Sequence, residues 1–306
     1  MRKDLISIKD LSMDEINSIL DLAQLLKLDP SVYYGKLKGK SLGLIFQKPS
    51  NRTRVSFDVG MYQLGGHTVY LGPDDIKLGV REETKDIAHT LSRYLDIIVA
   101  RTFLHQDVLD LAENATVPVI NGLSDLLHPC QGLADLFTIK EKFSKFKGLT
   151  LAFIGDGNNV FHSLLYAASK SGINIRLASP KGYEPDKEIL EQAKKIAKDS
   201  GSTIEVVEDK YQAATGADVL YTDVWVSMGQ ESDRKKRLED FHDFRLDSDL
   251  LAKARPESVV MHCLPAHRGE EVTSEVIDGP HSIVFDQAEN RLHIQKAILL
   301  KLLNKD

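Results

Sequence analysis

The chain has 306 residues, 42% of them hydrophobic, and a formal net charge of −6. That is enough apolar material for one large or two ordinary domains, and the negative balance argues against nucleic acid as the main partner and against a basic helix on a membrane surface. No apolar run approaches the ~20 residues of a membrane span, residues 1–12 lack the apolar core of a signal peptide, and Cys130 and Cys263 alone imply no disulfide framework, so the expectation is a soluble cytoplasmic protein.

The first helix is well signed: Ser12 and Glu15 make a capping-box pattern, and Leu11 with Ile16 suits a hydrophobic staple. Ile16, Ile19, Leu20, Ala23 and Leu26 then give a helical stripe. Short apolar strands are predicted at SLGLIF (41–46), HTVYL (67–71), DIIVA (96–100) and VPVIN (117–121), followed by a helix at QGLADLFTIKEKF (131–143). A second strand set comprises LTLAFIG (149–155), NIRLAS (174–179), TIEVVE (203–208), DVLYTD (218–223), VVMHC (259–263) and SIVFD (282–286). Helical stretches such as DKEILEQAKKIAKDSG (186–201) lie between most of them, and RLHIQKAILLKLLNK (291–305) comes last. Strands alternating with helices mean α/β domains with parallel sheets and helices on both faces. Four strands and then six suggest two domains, joined near 132–147.

In open α/β sheets, ligands bind beyond the carboxyl ends of strands. Polar groups gather there. The first set is Ser50-Asn51-Arg52-Thr53-Arg54, Arg101, and His128-Pro129-Cys130-Gln131. Ser50 is a good N-cap, but Arg52 and Arg54 then sit at the positive end of a helix dipole, where a cation is unfavourable. An anion resolves this: backbone N–H groups face it, and guanidinium forks match phosphate oxygens. Thr53, His128 and Gln131 suit a carbonyl and an amide better than bare phosphate, and donors aimed at a carbonyl oxygen stabilise the charge it gains under attack.

The second set differs. FIGDGNNV (153–160) resembles a dinucleotide fingerprint, yet Val160 stands where the third glycine belongs, and no acidic residue closes the strand NIRLAS to hold a ribose. Asn159, Asp223 and Ser227 instead offer an amide, an acceptor and a hydroxyl, a combination suited to an α-amino acid head. Cys263 can be a nucleophile, a metal ligand or a core residue. In HCLPAH (262–267), zinc would need three or four ligands, and a strand end aims only two of His262, Cys263 and His267 one way, so no metal is expected. DRKKRLED (233–240) reads as a solvated loop or helix face.

The motifs SNRTR, HPCQ, GDGNN, DVWVSMG, HCLPAHRGEEV and QAENR, in this order from residue 50 to 291, resemble those of the ornithine carbamoyltransferases. The resemblance implies two Rossmann-like domains, each a mainly parallel sheet flanked by helices. Residues 1–133 would bind carbamoyl phosphate, 134–147 would be a linking helix and 148–287 would bind L-ornithine. A C-terminal helix, about 288–306, would return to the first domain. It also implies a homotrimer or an assembly of trimers, no cofactor, and transfer of the carbamoyl group to the δ-amine of L-ornithine, giving L-citrulline and phosphate. Carried over by motif, Ser50, Asn51, Arg52 and Thr53 would bind phosphate with help from Arg101. Arg101, Thr53, His128 and Gln131 would hold the carbamoyl group, and Arg291 would close over it. Asn159, Asp223, Ser227 and Met228 would hold ornithine's α-groups, with Cys263 and the Leu264 carbonyl facing the δ-amine. Cys263 and Asp223 are the candidate aids to its deprotonation.

Two positions depart from the usual pattern. Asn51 replaces a threonine but can still donate, and Lys77, in the loop DDIKLGVREE, stands where ornithine enzymes commonly carry Gln or His. By resemblance Lys77 would reach a neighbouring subunit's phosphate site. Three rivals fit less well. A putrescine or aspartate carbamoyltransferase would lack SMG, and a nicotinamide-dependent dehydrogenase would not explain SNRTR. A non-catalytic amino-acid sensor would have no need of His128 and Arg101.

Overall fold

A computed structural model describes residues 3–76, 78, 82–227 and 229–304. Its helices and strands fall into two units, Met1–Phe137 with Glu289–Asp306, and Thr138–Ala288. The first unit opens with α1 (Met13–Leu28), where the capping box is complete. Ser12 Oγ accepts from Glu15 N at 3.1 Å, and the Glu15 carboxylate accepts from Ser12 N at 2.9 Å. There follow β1 (Ser41–Phe46), α2 (Asn51–Gln63), β2 (His67–Leu71), α3 (Thr84–Leu91), β3 (Ile97–Arg101), α4 (His105–Asn114) and β4 (Val119–Leu123). Then α5 (Pro129–Phe143) carries the chain into the second unit.

The second unit contains β5 (Thr150–Ile154), α6 (Asn159–Ser171), β6 (Asn174–Ala178), α7 (Lys187–Ser200), β7 (Ile204–Val207) and α8 (Lys210–Ala214). It continues with β8 (Val219–Thr222), α9 (Arg234–Asp240), α10 (Ser248–Leu251), β9 (Val259–His262) and α11 (Ser274–Ile277). The last helix, α12 (Val284–Leu303), begins in this unit and ends in the first.

Among the described residues every strand pairing is parallel, in the orders β2-β1-β3-β4 and β7-β6-β5-β8-β9. This is the expected α/β class. Burial differs from strand to strand: the edge strands β4 and β9 are almost as buried as their inner neighbours, flanked by bridges from Leu5 and Ser282. β3 and β5 are buried along their whole length, and they read as unbroken apolar runs because helices cover both faces. The edge strands β2 and β7 mix half-buried and exposed residues, with no fully buried position, and HTVYL and IEVV accordingly include polar side chains. Each fully buried Leu, Ile or Phe, such as Leu44, Ile45 and Phe46 of β1, contributes about 1.5–3 kcal/mol.

One expectation is corrected: SIVFD is not a sixth strand. Only Ser282 bridges to Val260, Ile283 N donates to Val260 O, and α12 starts at Val284. Gln287 N already donates to Ile283 O at 2.9 Å in helical fashion. A five-residue apolar run does not distinguish strand from helix by periodicity.

In each sheet the strand order reverses at one place, between β1 and β3 in the first unit and between β5 and β8 in the second. A crevice opens beyond the carboxyl ends of strands at such a point, because the following helices leave on opposite faces.

Candidate active site

In the first unit the crevice receives the segments after β1 and β3. Phe46 and Arg101, the last residues of these strands, lie opposite each other in register. The β3–β4 register shifts between Ala100 and Arg101: Ala100 pairs with Asn121 and Arg101 with Leu123, so Gly122 of β4 is the extra residue. Ser50 caps α2, its hydroxyl accepting from Thr53 N at 3.2 Å. The side chain of Asn51 accepts from Arg52 N at 2.6 Å. Two of the N–H groups expected to face an anion are therefore engaged by local side chains.

Thr53, Arg101, His128, Gln131 and Arg291 are all at least 95% buried. Arg291, from α12, donates through Nη2 to Thr53 Oγ1 at 2.7 Å. Gln131 donates to Asp135 at 2.9 Å, and its own Oε1 is buried without a hydrogen bond. Burial holds the His128 pKa well below the usual histidine range, and the charges of Arg291, Arg101 and Arg52 push it the same way. The ring is neutral at pH 7, so it can donate a hydrogen bond without adding a fourth positive charge. Arg54 turns away and stacks on Tyr70, its guanidinium carbon 3.6 Å from the ring centroid. Cys130 is a core thiol, its pKa pushed up to about 12 by burial. Lys77 lies outside the described residues.

In the second unit three adjacent strands deliver the polar groups. Thr222 is in register with Ile154 on one side and His262 on the other. The residues just beyond these positions are therefore neighbours. Asp223 is 6% exposed and accepts from Asn158 Nδ2 at 2.9 Å. Its other oxygen accepts from Val224 N at 2.8 Å and from Cys263 Sγ at 3.0 Å.

Asn158 was not singled out from the sequence. It is the N-cap of α6, accepting from Val160 N and Phe161 N, and the preference of such positions for asparagine was its only signal. Asn159 opens α6 and is half-buried. Ser227 is half-buried in a turn, its N–H donating to Gln230 Oε1 at 3.1 Å. Met228 lies outside the described residues. Gly157 requires no nucleotide to explain it: a Cβ there would sit 2.4 Å from Pro185 N, because the 183–185 loop packs directly against it.

Further residues hold this cluster of the second unit. Leu264 N donates to His262 Nδ1 at 2.8 Å, so that nitrogen is unprotonated and His262 Nε2 carries the hydrogen facing Glu271 Oε1 at 3.1 Å. Gln287 bridges His262 N and the Tyr221 hydroxyl at 2.9 and 3.0 Å. Leu264 itself adopts a left-handed backbone, φ 58°. The segment 233–240 is only partly the solvated face expected. Arg237 is buried, pairing with Asp156 and donating to Trp225 O, and so ties α9 to the loop after β5. Asp223, His262 and Cys263 place donor atoms within 4.8 Å of one another. Both ring nitrogens of His262 are engaged, however, which leaves no imidazole free for a metal there. Among the described residues no helix is long and apolar enough to cross a membrane.

The carbamoyl-P binding domain of aspartate/ornithine carbamoyltransferase matches residues 3–141, and the Asp/Orn binding domain of the same family matches 147–302. The chain is 51% identical to ornithine carbamoyltransferase of Thermococcus kodakarensis, over 97% of this chain and 95% of that one. It is 52% identical to the anabolic ornithine carbamoyltransferase of Pyrococcus furiosus, over 97% and 95%. The solved structure of ornithine carbamoyltransferase from Pyrococcus furiosus superposes with a TM-score of 0.96 at 50% identity, covering 99% of this chain and 97% of that one. That from Thermus thermophilus gives 0.89 at 48%, covering 99% of both. With both domains matched in order and the relatives aligned over nearly their whole length, the chain belongs to the aspartate/ornithine carbamoyltransferase family.

Proposed function

We propose that the protein transfers the carbamoyl group of carbamoyl phosphate to the δ-amine of L-ornithine, giving L-citrulline and phosphate. The observation that carries the ornithine assignment is the Asp223 carboxylate, held by Asn158 and touched by the Cys263 thiol. It is an anionic anchor for an α-ammonium group, in a unit matched by the Asp/Orn binding domain. Ser227, Asn159 and Met228 are the proposed partners of the α-carboxylate and α-amino groups, and Cys263 and the Leu264 carbonyl those of the δ-amine.

In the first unit, Ser50, Asn51, Arg52 and Thr53 are the proposed phosphate ligands, with Arg101 bridging to the carbamoyl group. The neutral δ-amine attacks the carbonyl carbon, forming a C–N bond as charge moves onto the carbonyl oxygen. Arg101, Thr53 and the neutral His128 donate to that oxygen, while Gln131 Oε1, buried and without a donor in the structure, accepts from the carbamoyl NH₂. The carbon–oxygen bond to phosphate then breaks, and the guanidinium groups of Arg52, Arg101 and Arg291 take up the departing charge. Ornithine's δ-ammonium has a pKa near ~10 and arrives protonated. Asp223 and Cys263 are proposed to favour loss of that proton, and the phosphate to accept the last one. A homotrimer in the cytoplasm, with Lys77 entering a neighbouring subunit's phosphate site, completes the reading and rests on the family resemblance.

Citrulline-type product formation tests it, with ornithine, putrescine and aspartate compared at one carbamoyl phosphate concentration. Ornithine alone is expected to give rapid turnover. A putrescine or aspartate rate equal to that of ornithine would overturn the assignment.

A further inference from the structure

Beyond the loop that follows β9, the chain makes a tight turn, His267-Arg268-Gly269-Glu270, closed by Glu270 N donating to His267 O at 2.9 Å. Gly269 has φ 89°, as the third position of a type II turn requires. This turn brings His267 beside Glu270 and Glu271, whose candidate ligand atoms lie within 4.8 Å of one another. His267 Nδ1 is 3.9 Å from Glu270 Oε2 and 3.8 Å from Glu271 Oε2. All three atoms are shielded from solvent, and none makes a hydrogen bond to a described group.

The carboxylates cannot relieve this by turning over. Glu271, 0% exposed, uses Oε1 to accept from His267 N at 2.6 Å and from His262 Nε2 at 3.1 Å. Glu270 uses Oε1 for Arg234. Each Oε2 is left facing the imidazole nitrogen at a distance too long for a hydrogen bond. A buried carboxylate oxygen without a donor is strongly unfavourable. One proton on Nδ1 cannot serve two oxygens at these separations, whereas one cation can.

We propose that His267, Glu270 and Glu271 form a binding site for a divalent metal ion of the zinc class, distinct from Asp223 and Cys263. One imidazole and two carboxylates are a donor set that Zn²⁺ accepts. With metal–ligand distances of about 2.0–2.2 Å, tetrahedral ligands stand roughly 3.3–3.6 Å apart, so the two nitrogen–oxygen separations of 3.9 and 3.8 Å need shorten by only a few tenths of an ångström, and the two carboxylate oxygens, within 4.8 Å, close around the ion by side-chain rotation. The ligand atoms are themselves shielded, but the rest of the His267 and Glu270 side chains is 43% and 24% exposed, so the cluster lies just beneath the surface, within reach of an ion from solvent. The ion engages Glu271 Oε2 while Oε1 keeps its hold on His262, and so it stiffens the loop carrying Cys263 and Leu264.

Co²⁺ is the probe, titrated into the full chain and into Cys263→Ser, His267→Asn and Glu270→Gln. Wild type and Cys263→Ser are expected to bind one equivalent each, with visible d–d bands and no thiolate-to-cobalt charge-transfer band. His267→Asn and Glu270→Gln are expected to weaken binding by at least about tenfold. Zn²⁺ should raise the thermal midpoint of wild type and of Cys263→Ser but not of the two site variants. Loss of the signal in Cys263→Ser, unchanged affinity in His267→Asn, or no binding by wild type would each overturn the proposal. The last result would assign the three atoms to a shared water or proton.

Discussion

Thr53→Val isolates a single bond. Threonine and valine share shape and β-branching, so the exchange removes the hydroxyl without opening a cavity. The hydroxyl accepts from Arg291 Nη2 at 2.7 Å, with Thr53 1% and Arg291 4% exposed. A hydrogen bond to a charged group contributes about 1.5–3 kcal/mol, and here its loss also leaves a buried guanidinium N–H without that acceptor. At an unfolding entropy of about 2.1 cal/mol/K per residue, a loss of about 2 kcal/mol from a chain of 306 residues lowers the thermal midpoint by roughly 3 °C. If Thr53 also donates to the carbamoyl oxygen, kcat falls by about 10²-fold. Thr53→Ser keeps the hydroxyl and should restore most of both. Scanning calorimetry and the carbamoyl-transfer assay read the two effects. A double-mutant cycle with Arg291→Met should return a coupling of about 1.5–3 kcal/mol. A midpoint unchanged in Thr53→Val, or strictly additive losses in the double variant, would refute the reasoning.

Asp223→Asn should lower kcat/KM for ornithine by about 30-fold or more, the cost of stripping one partner from a desolvated charge pair. Carbamoyl phosphate affinity by calorimetry should hold, and an equal loss there would mean that Asp223 acts on the whole fold. Gly157→Ala places a Cβ 2.4 Å from Pro185 N and 2.7 Å from Glu184 C, both backbone atoms that cannot rotate aside. Its cost is about 1–3 kcal/mol, and a midpoint equal to wild type would contradict the packing. Burial lowers the pKa of His128, and that of His105 and His293 likewise. The unfolded chain protonates its histidines near ~6.5, so below that pH it binds more protons than the folded one. Stability should therefore fall with pH from about 6.5 downward, by up to about 1.4 kcal/mol per pH unit for the fully buried His128 and by less for His105 and His293, which water screens, and be unaffected by them above. Urea unfolding across this range should show a shallower slope for His128→Asn, and an identical slope would remove His128 from the account.

Much of the architecture was legible because its causes are local. The Ser12–Glu15 capping box needs only residues three apart. The apolar runs of β1, β3 and β5 announce strands covered on both faces, and the Ser50 cap places SNRTR at a helix start. The ends of β3, β5, β8 and β9 carry polar groups where the parallel α/β rule places a binding crevice. The cap of α6 was less legible: two adjacent asparagines, Asn158 and Asn159, stand at the helix start, and which one caps it depends on where the first turn closes.

Other features depend on partners that no window of sequence contains. Arg291 meets Thr53 across 238 residues, a contact made only because α12 returns to the first unit. Arg237 lies in a run of charges that reads as a solvated helix face. It is nevertheless buried, because Asp156 lies 81 positions away in sequence but adjacent in space. SIVFD has a strand's composition and becomes a helix, since only Ser282 bridges to β9 and the following residues bond to carbonyls of their own turn. Asp223 and Cys263 touch because β8 and β9 are in parallel register, with Thr222 opposite His262. Backbone sterics and nearest-neighbour hydrogen bonds act over a few residues and leave their mark in local spacing. Register and long-range pairing are settled by burial of the whole core, which no short stretch of chain records.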